Sequence, residues 1–247
     1  MQHSNARLFP LDDVRWFATV SGDPNPVHID PEFAARTYPG AVVAHGAHLV
    51  LWALETLLPA DGPALPDGLK AVFVKPVIVG DEVEAEAPQP ETIRLSVRGE
   101  TVARLKLKAG RSPERWAGGA PAHTPTHPPV VAGPPASIAD VSGALRLPDA
   151  KDALLAAFPN LGRRLGPRVL QGLAGIAPVS GGVLGGVTSE FSFAFSDDAP
   201  SENLEYRLVA YHAGLRRLQL AFWGYGLIGE VAAIAGGEPA SATEPSP

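Results

Sequence analysis

The most informative stretch of this chain is Ser21-Gly22-Asp23-Pro24-Asn25-Pro26-Val27-His28-Ile29-Asp30. It places a carboxylate, Asp23, and an imidazole, His28, within one short segment. In a straight strand these two side chains would lie roughly 17 Å apart, and in a helix they would point in different directions. The two prolines disfavour helical backbone at the residues before them, and Asn25 closes turns through its own side chain. The stretch is therefore predicted to be a rigid, hairpinned loop in which Asp23 and His28 converge.

Three blocks of the sequence resemble the MaoC-like, or R-specific enoyl-CoA hydratase (hydratase 2), family of hotdog proteins. They are Phe17 to Asp30 followed by Ala34-Ala35, then Val43-Ala44-His45-Gly46, then Phe73 to Val83. The blocks occur in the right order and spacing over residues 8–108. The resemblance implies an α+β fold in which a curved antiparallel sheet wraps one central helix.

The long apolar run from Ala41 to Leu58 is the segment that fits this central helix. It is about the shortest length that would cross a bilayer, but it contains His45, His48 and Glu55. An acidic residue in a lipid-facing span is costly, whereas a helix that is apolar on all sides is typical of a protein core. We therefore predict a buried helix and no membrane partner.

Composition indicates a soluble enzyme. The chain has 247 residues, a net charge of −6 and no cysteine, which excludes disulfides and thiol chemistry and argues against a nucleic-acid partner. The N-terminus lacks the apolar core of a secretory signal, so a cytoplasmic location is expected.

The second half contains no copy of the Asp-Pro-Asn-Pro-x-His loop but repeats the order of elements. Helical spacing occurs over residues 151–158 and 162–176, with Pro159 and Pro178 as breakers. Three strand-like runs follow, namely Thr188–Phe195, Leu204–His212 and Arg217–Gly224. This order predicts a double hotdog with a degenerate second repeat.

The predicted organisation has four parts. Residues 1–110 form the catalytic hotdog and residues 150–235 the degenerate one. Between them, residues 111–149 are rich in Pro and Gly and are expected to be an extended linker. Residues 236–247 are expected to be a disordered tail. His123 and His127 lie in the linker at a helical spacing that such chain cannot adopt, so no metal site is assigned.

The resemblance implies the chemistry of the site. Asp23 and His28 would form a dyad that grips the water added to, or removed from, a 2-enoyl thioester, and which of them supplies the α-proton is left open. Gly46 would stabilise the developing enolate through its backbone amide, because the first N–H groups of a helix have no internal partner. Asn25 is expected to orient the dyad by hydrogen bonding. The side chain of His45 is expected simply to pack.

The predicted function is therefore (R)-specific hydration or dehydration of an acyl thioester carried by coenzyme A or by an acyl carrier protein. No cofactor is implied, since water supplies both added groups, and a homodimer is left open. Two alternatives remain at this point: a non-catalytic acyl-thioester-binding hotdog and an acyl-CoA thioesterase.

Overall fold

The computed structural model describes residues 5–58, 66–108, 141–182, 186–197 and 201–235. The first half contains β1 (Ala6–Leu8), α1 (Leu11–Ser21), α2 (Pro26–Ile29), α3 (Pro31–Ala35), α4 (Gly46–Leu57), β2 (Gly68–Phe73), β3 (Glu82–Gln89), β4 (Thr92–Val97) and β5 (Glu100–Lys108). The second half contains β6 (Ser142–Leu145), α5 (Lys151–Ala157), α6 (Pro159–Ala174), a π-helical turn (Pro178–Gly182), β7 (Gly186–Phe195), β8 (Leu204–His212), a 3₁₀ turn (Ala213–Leu215), β9 (Arg217–Gly224) and β10 (Leu227–Ala235).

All ten strands form one antiparallel sheet, in the order β1-β3-β4-β5-β2-β7-β10-β9-β8-β6. Read from either edge towards the middle, each half presents its first, third, fourth, fifth and second strand. The two halves are therefore structural repeats, as the double hotdog prediction requires. They join where β2 pairs with β7, with Gly68 opposite Ala194 and Ala71 opposite Phe191.

The core lies between one face of the sheet and the helices. Strand β9 illustrates that only one face of the sheet is buried, because every second residue is buried and the alternate ones are not. Helix α4 is buried along its whole middle, from Ala47 to Leu54, so it is the central helix of the first half. It has 12 residues, and among the described residues no helix is both long and apolar enough to cross a membrane.

The C-terminal end of α4 meets the N-terminal end of α6, and each caps the other by hydrogen bonds. The Glu55 carboxylate accepts the backbone N–H groups of Asn160 and Leu161, at 2.9 and 2.8 Å. In return, the Asn160 side-chain amide donates to the carbonyl of Leu58 at 3.1 Å. Free N–H groups at a helix start need such partners, so Glu55 ties the two halves together.

The second half differs from expectation in three places. Strand β6 lies inside the range assigned to the linker, where pairing with β8 and burial of Ala144 and Leu145 hold it in the sheet. Strand β10 was not predicted, because its Gly and Ala residues have low strand propensity, yet it pairs on both sides. Helix α6 begins at Pro159, since proline is accepted in the first turn, and it kinks at Gly166. Residues 111–140 of the linker, including His123 and His127, and the tail 236–247 lie outside the described residues.

Candidate active site

The loop that holds Asp23 is set by its two ends. Helix α1 stops at Gly22, whose φ of 78° is the left-handed conformation that commonly ends helices. Beyond Asp23, the backbone N–H of Asn25 donates to Asp23 Oδ1 at 3.1 Å. The Asn25 side chain then accepts the N–H of Val27 at 3.2 Å and so caps α2. Asn25 thus connects the carboxylate to the next element.

The end of this loop is helical, which corrects the prediction of a loop throughout. Pro26 occupies the first turn of α2, where its missing N–H costs nothing. This single turn directs His28 back towards the carboxylate, with Nε2 at 3.8 Å from Asp23 Oδ2. The other ring nitrogen, Nδ1, lies 2.8 Å from the carbonyl of Val43. A carbonyl only accepts, so Nδ1 carries the proton and Nε2 of the neutral ring presents a lone pair.

A third polar side chain, which the sequence analysis expected only to pack, adjoins this pair. His45 Nε2 lies 3.6 Å from Asp23 Oδ2, and the His45 ring stacks on His28 with centroids 3.8 Å apart. His45 occupies the N-cap position of α4 without capping it. Ser, Thr, Asp or Asn is usual at this position. The histidine at the predicted helix start was therefore the one sequence feature that pointed to a functional role for this side chain.

Burial controls the protonation of all three groups. It raises the pKa of Asp23 to about 7, although the hydrogen bond from Asn25 opposes this. It lowers the pKa of His28 to about 4, partly offset by the Val43 carbonyl. The pKa of His45 also falls well below its usual value, first through burial and then through the neighbouring His28 and His48. Near neutral pH the site therefore combines neutral imidazoles with a carboxyl group close to its titration point.

The ligand atoms of Asp23, His28 and His45 all lie within 4.8 Å of one another. A carboxylate with two imidazoles is a donor set that divalent transition metals accept. The buried Asp23 Oδ2 and both ring nitrogens of His45 have no hydrogen-bond partner. Among the described residues, these three could therefore hold a metal ion. The sequence analysis assigned no metal site, and the acid–base chemistry of an Asp/His pair does not require one.

Gly46 is the first residue of α4, so its N–H is one of the groups that a helix leaves unpaired. A Cβ at this position would lie 2.7 Å from the tip of the Phe73 ring. Glycine is therefore what allows the ring, the helix start and a small molecule to share this space.

A cavity of about 360 Å³ leads from the site to the surface. His28 and Gly46 line it, and Tyr38, Val74 and Ile234 at its rim are 83, 52 and 52% exposed. The lining is mostly apolar and comes from both halves of the chain, as expected for a small-molecule site.

A second, small void of about 10 Å³ adjoins the dyad, close to the room that one water needs. Its polar lining consists of Asp23, His28, His45, Ser180 and Thr188. Gly181 packs directly on the carboxylate, because a Cβ there would lie 2.7 Å from Asp23 Oδ2. The sequence analysis assigned no site residue to the second half.

His48, by contrast, faces away from the dyad. Its ring stacks on Phe17, with centroids 4.5 Å apart, and meets Phe9 edge-on. Burial lowers its pKa to about 3, with a smaller contribution from Arg7. His48 is thus a neutral member of an aromatic cluster.

Known proteins resemble the first half of this chain. Residues 2–108 match the model of the MaoC-like domain family. The chain is 42% identical over 84 residues to 3-hydroxybutyryl-CoA dehydratase of Methylorubrum extorquens, covering 33% of this chain and 53% of the relative. It is 40% identical over 84 residues to the (R)-specific enoyl-CoA hydratase of Aeromonas caviae, covering 33% of this chain and 62% of the relative. The chain thus spans less than two thirds of either curated relative.

Solved structures resemble the whole chain. A MaoC-like dehydratase aligns with a TM-score of 0.55 at 14% identity, covering 94% of this chain and 96% of its own. A double-hotdog protein from Mycobacterium tuberculosis aligns with a TM-score of 0.56 at 18% identity, covering 95 and 94%. At such identity these two likenesses concern the fold, whereas the match over residues 2–108 concerns the domain that carries Asp23, His28 and Gly46. By this match, residues 2–108 of the chain form a MaoC-like domain.

Proposed function

We propose that the protein adds water to a 2-enoyl thioester, or removes it from the 3-hydroxyacyl thioester, on coenzyme A or an acyl carrier protein. The observation that carries this proposal is the placement of His28 Nε2 and Asp23 Oδ2, 3.8 Å apart, beside a water-sized void at the inner end of an apolar cavity. Both curated relatives are named for this chemistry on CoA thioesters.

The protonation states suggest a role for each residue. His28 Nε2 presents a lone pair and acts as the base that takes a proton from water. Asp23, with its pKa raised to about 7, supplies its proton to the α-carbon as the C3–O bond forms. The Gly46 N–H holds the thioester oxygen, where negative charge develops in the enolate. After turnover, the proton on His28 returns to the nearby Asp23 carboxylate and restores the starting state.

This arrangement has a stereochemical consequence. Both proton-transferring groups approach from one side, and the amide fixes the thioester oxygen, so hydroxyl and proton add to the same face. Addition is therefore syn. The name of the A. caviae relative supports the R configuration at the 3-hydroxyl.

A thioesterase is the less supported alternative. Glu55 is the acidic residue of the central helix, and it is engaged in capping α6. The geometry likewise disfavours a purely binding role, since simple acyl binding does not require a buried carboxyl group beside two imidazoles.

The direct test is to follow loss of enoyl absorbance with crotonyl-CoA. The wild-type protein should hydrate it to the R product, unaffected by EDTA, whereas Asp23→Asn and His28→Ala should each lower turnover by a factor of about 100 or more. A free-thiol assay on the same samples should detect no hydrolysis. An S product, an EDTA-sensitive rate or near-normal turnover in both variants would contradict the proposal.

A further inference from the structure

A short chain of hydroxyl groups in the second half ends at the small void that Asp23 and His28 also line. Thr188 Oγ1, on β7, lies 2.7 Å from Ser180 Oγ, on the π-helical turn. Ser180 Oγ in turn lies 2.9 Å from the carbonyl of Ala177 and 3.2 Å from that of Ile176. Ser180 is fully buried, whereas Thr188 borders both the small void and the large cavity.

The backbone carbonyls set the direction of this chain. A hydroxyl has one proton to donate, and a carbonyl has none. Ser180 therefore donates to a carbonyl and accepts at its remaining lone pairs. Thr188 donates its only proton to Ser180, and Thr188 Oγ1 then has only acceptor capacity left. At the edge of the small void, the second half thus presents an acceptor next to Asp23 and His28.

A β-bulge explains why Thr188 faces the dyad. Along β7, Phe191 and Phe193 are buried, while Glu190 faces the other side and pairs with Lys70 and Arg217. Side chains alternate in a regular strand, so Thr188 would lie on the Glu190 face. The register against β10 shifts here, with Ala232 opposite Glu190 but Ala233 opposite Thr188. The extra residue between them turns Thr188 inward, and bulges recur beside active sites for this purpose.

We propose that Thr188 Oγ1 accepts one hydrogen of the reacting water while His28 Nε2 accepts the other. This inference rests on the proposed hydration reaction. With both hydrogens held, a lone pair of the water oxygen is left to attack C3. The proton on His28 is the one that leaves, and the other stays on the new 3-hydroxyl. The α-carbon receives the Asp23 proton, so all atoms are accounted for. The degenerate repeat would thus supply a third group to the reaction.

The test compares variants of the full chain on crotonyl-CoA. Thr188→Val keeps the branched shape but removes the acceptor, and kcat should fall about 10- to 100-fold while KM stays within about threefold. Thr188→Ser keeps the acceptor and should retain at least about a third of wild-type kcat. Ser180→Ala leaves the acceptor in place but lets Thr188 donate instead, so its loss should be smaller than that of Thr188→Val. Ser192→Ala, on the same strand, is the control and should match the wild type.

A loss of kcat at nearly constant KM indicates that Thr188 positions the water. If Thr188 were merely structural, restoring the hydroxyl in Thr188→Ser would not selectively restore kcat. Circular dichroism should show intact folding, and if Thr188→Val does not fold, Thr188→Ala provides the same comparison. A valine or alanine variant with wild-type kcat would overturn the inference while leaving the hydratase proposal standing. A wild-type protein that hydrates no enoyl thioester would overturn both.

Discussion

At the scale of single residues, burial sets the protonation states of the two ionisable side chains of the site. Asp23 and His28 have relative exposures of 2 and 6%, and their side chains lie too far apart for a direct hydrogen bond. Burial disfavours the charged form of each group, so the two pKa values are displaced in opposite directions. The result is a carboxylic acid and a neutral imidazole that coexist, which is the combination needed to give one proton and take another.

The dependence of activity on pH follows from these directions. His28 acts as a base only above its pKa of about 4, and Asp23 acts as an acid only below its pKa of about 7. Hydration should therefore give a bell-shaped profile of kcat/KM that falls below about pH 4 and above about pH 7, with limits that belong to the coupled pair. Initial rates with crotonyl-CoA across this range test it. A rate that rises through pH 7 to a plateau would mean that the Asp23 carboxylate is the base.

At the scale of elements, the contact between α4 and α6 shows how the halves are held in register. Glu55 is nine residues beyond Gly46 in the chain, which places it about 14 Å along the helix from the candidate oxyanion site. Its hydrogen bonds to the start of α6 therefore bear on stability and not on the chemistry at Gly46.

Glu55→Ala should remove both of these bonds and lower the free energy of unfolding by about 1 kcal/mol, as loss of a helix cap typically does. For a chain of this size that corresponds to a fall in Tm of about 2–4 °C. Glu84→Ala, at an exposed position of β3, is the matched control and should leave Tm nearly unchanged. Thermal melts measure both, and hydration at 25 °C should be retained in both variants. Loss of hydration in Glu55→Ala at unchanged Tm would contradict a purely structural role for Glu55. Release of free thiol that depends on Glu55 would support the thioesterase alternative.

At the scale of the whole molecule, the sheet runs without interruption from β1 to β6, and the pair β2 and β7 forms its seam. Removing the second half would expose the edge of β2, and unpaired edges promote association. It would also remove Gly181, which packs on Asp23, and Thr188, which lines the small void. The candidate site therefore needs both halves: the first half supplies the loop that carries Asp23, and the second half supplies part of the surrounding wall.

A chain truncated after residue 110 should accordingly aggregate, or self-associate into a dimer that replaces the missing half, with much reduced activity on crotonyl-CoA. Light scattering with size-exclusion chromatography measures its mass. A chain ending at residue 235 retains every described element and is the matched control. If the shorter chain were a stable, fully active monomer, the second half would not be a pseudo-subunit.

The sequence by itself determined the features that depend on near neighbours. Two prolines and Asn25 set the turn after Asp23, the apolar run predicted the central helix, and the order of elements predicted the repeat, which the continuous sheet confirms. Strand β6 was not predicted because it is short, and strand β10 was not predicted because it contains glycine and several alanines. Both are held in the sheet by strands distant in the chain.

Only the tertiary structure decided how the site is charged and completed. The pKa shifts of Asp23 and His28 arise from burial by surrounding elements, and the His28 tautomer follows from a carbonyl 15 residues away. His45 reaches the carboxylate because α4 begins beside α2. Thr188 lines the small void beside it because a bulge reverses the alternation of β7. A sequence pattern records residue types and spacing along the chain, whereas these properties depend on dielectric surroundings and contacts across the fold.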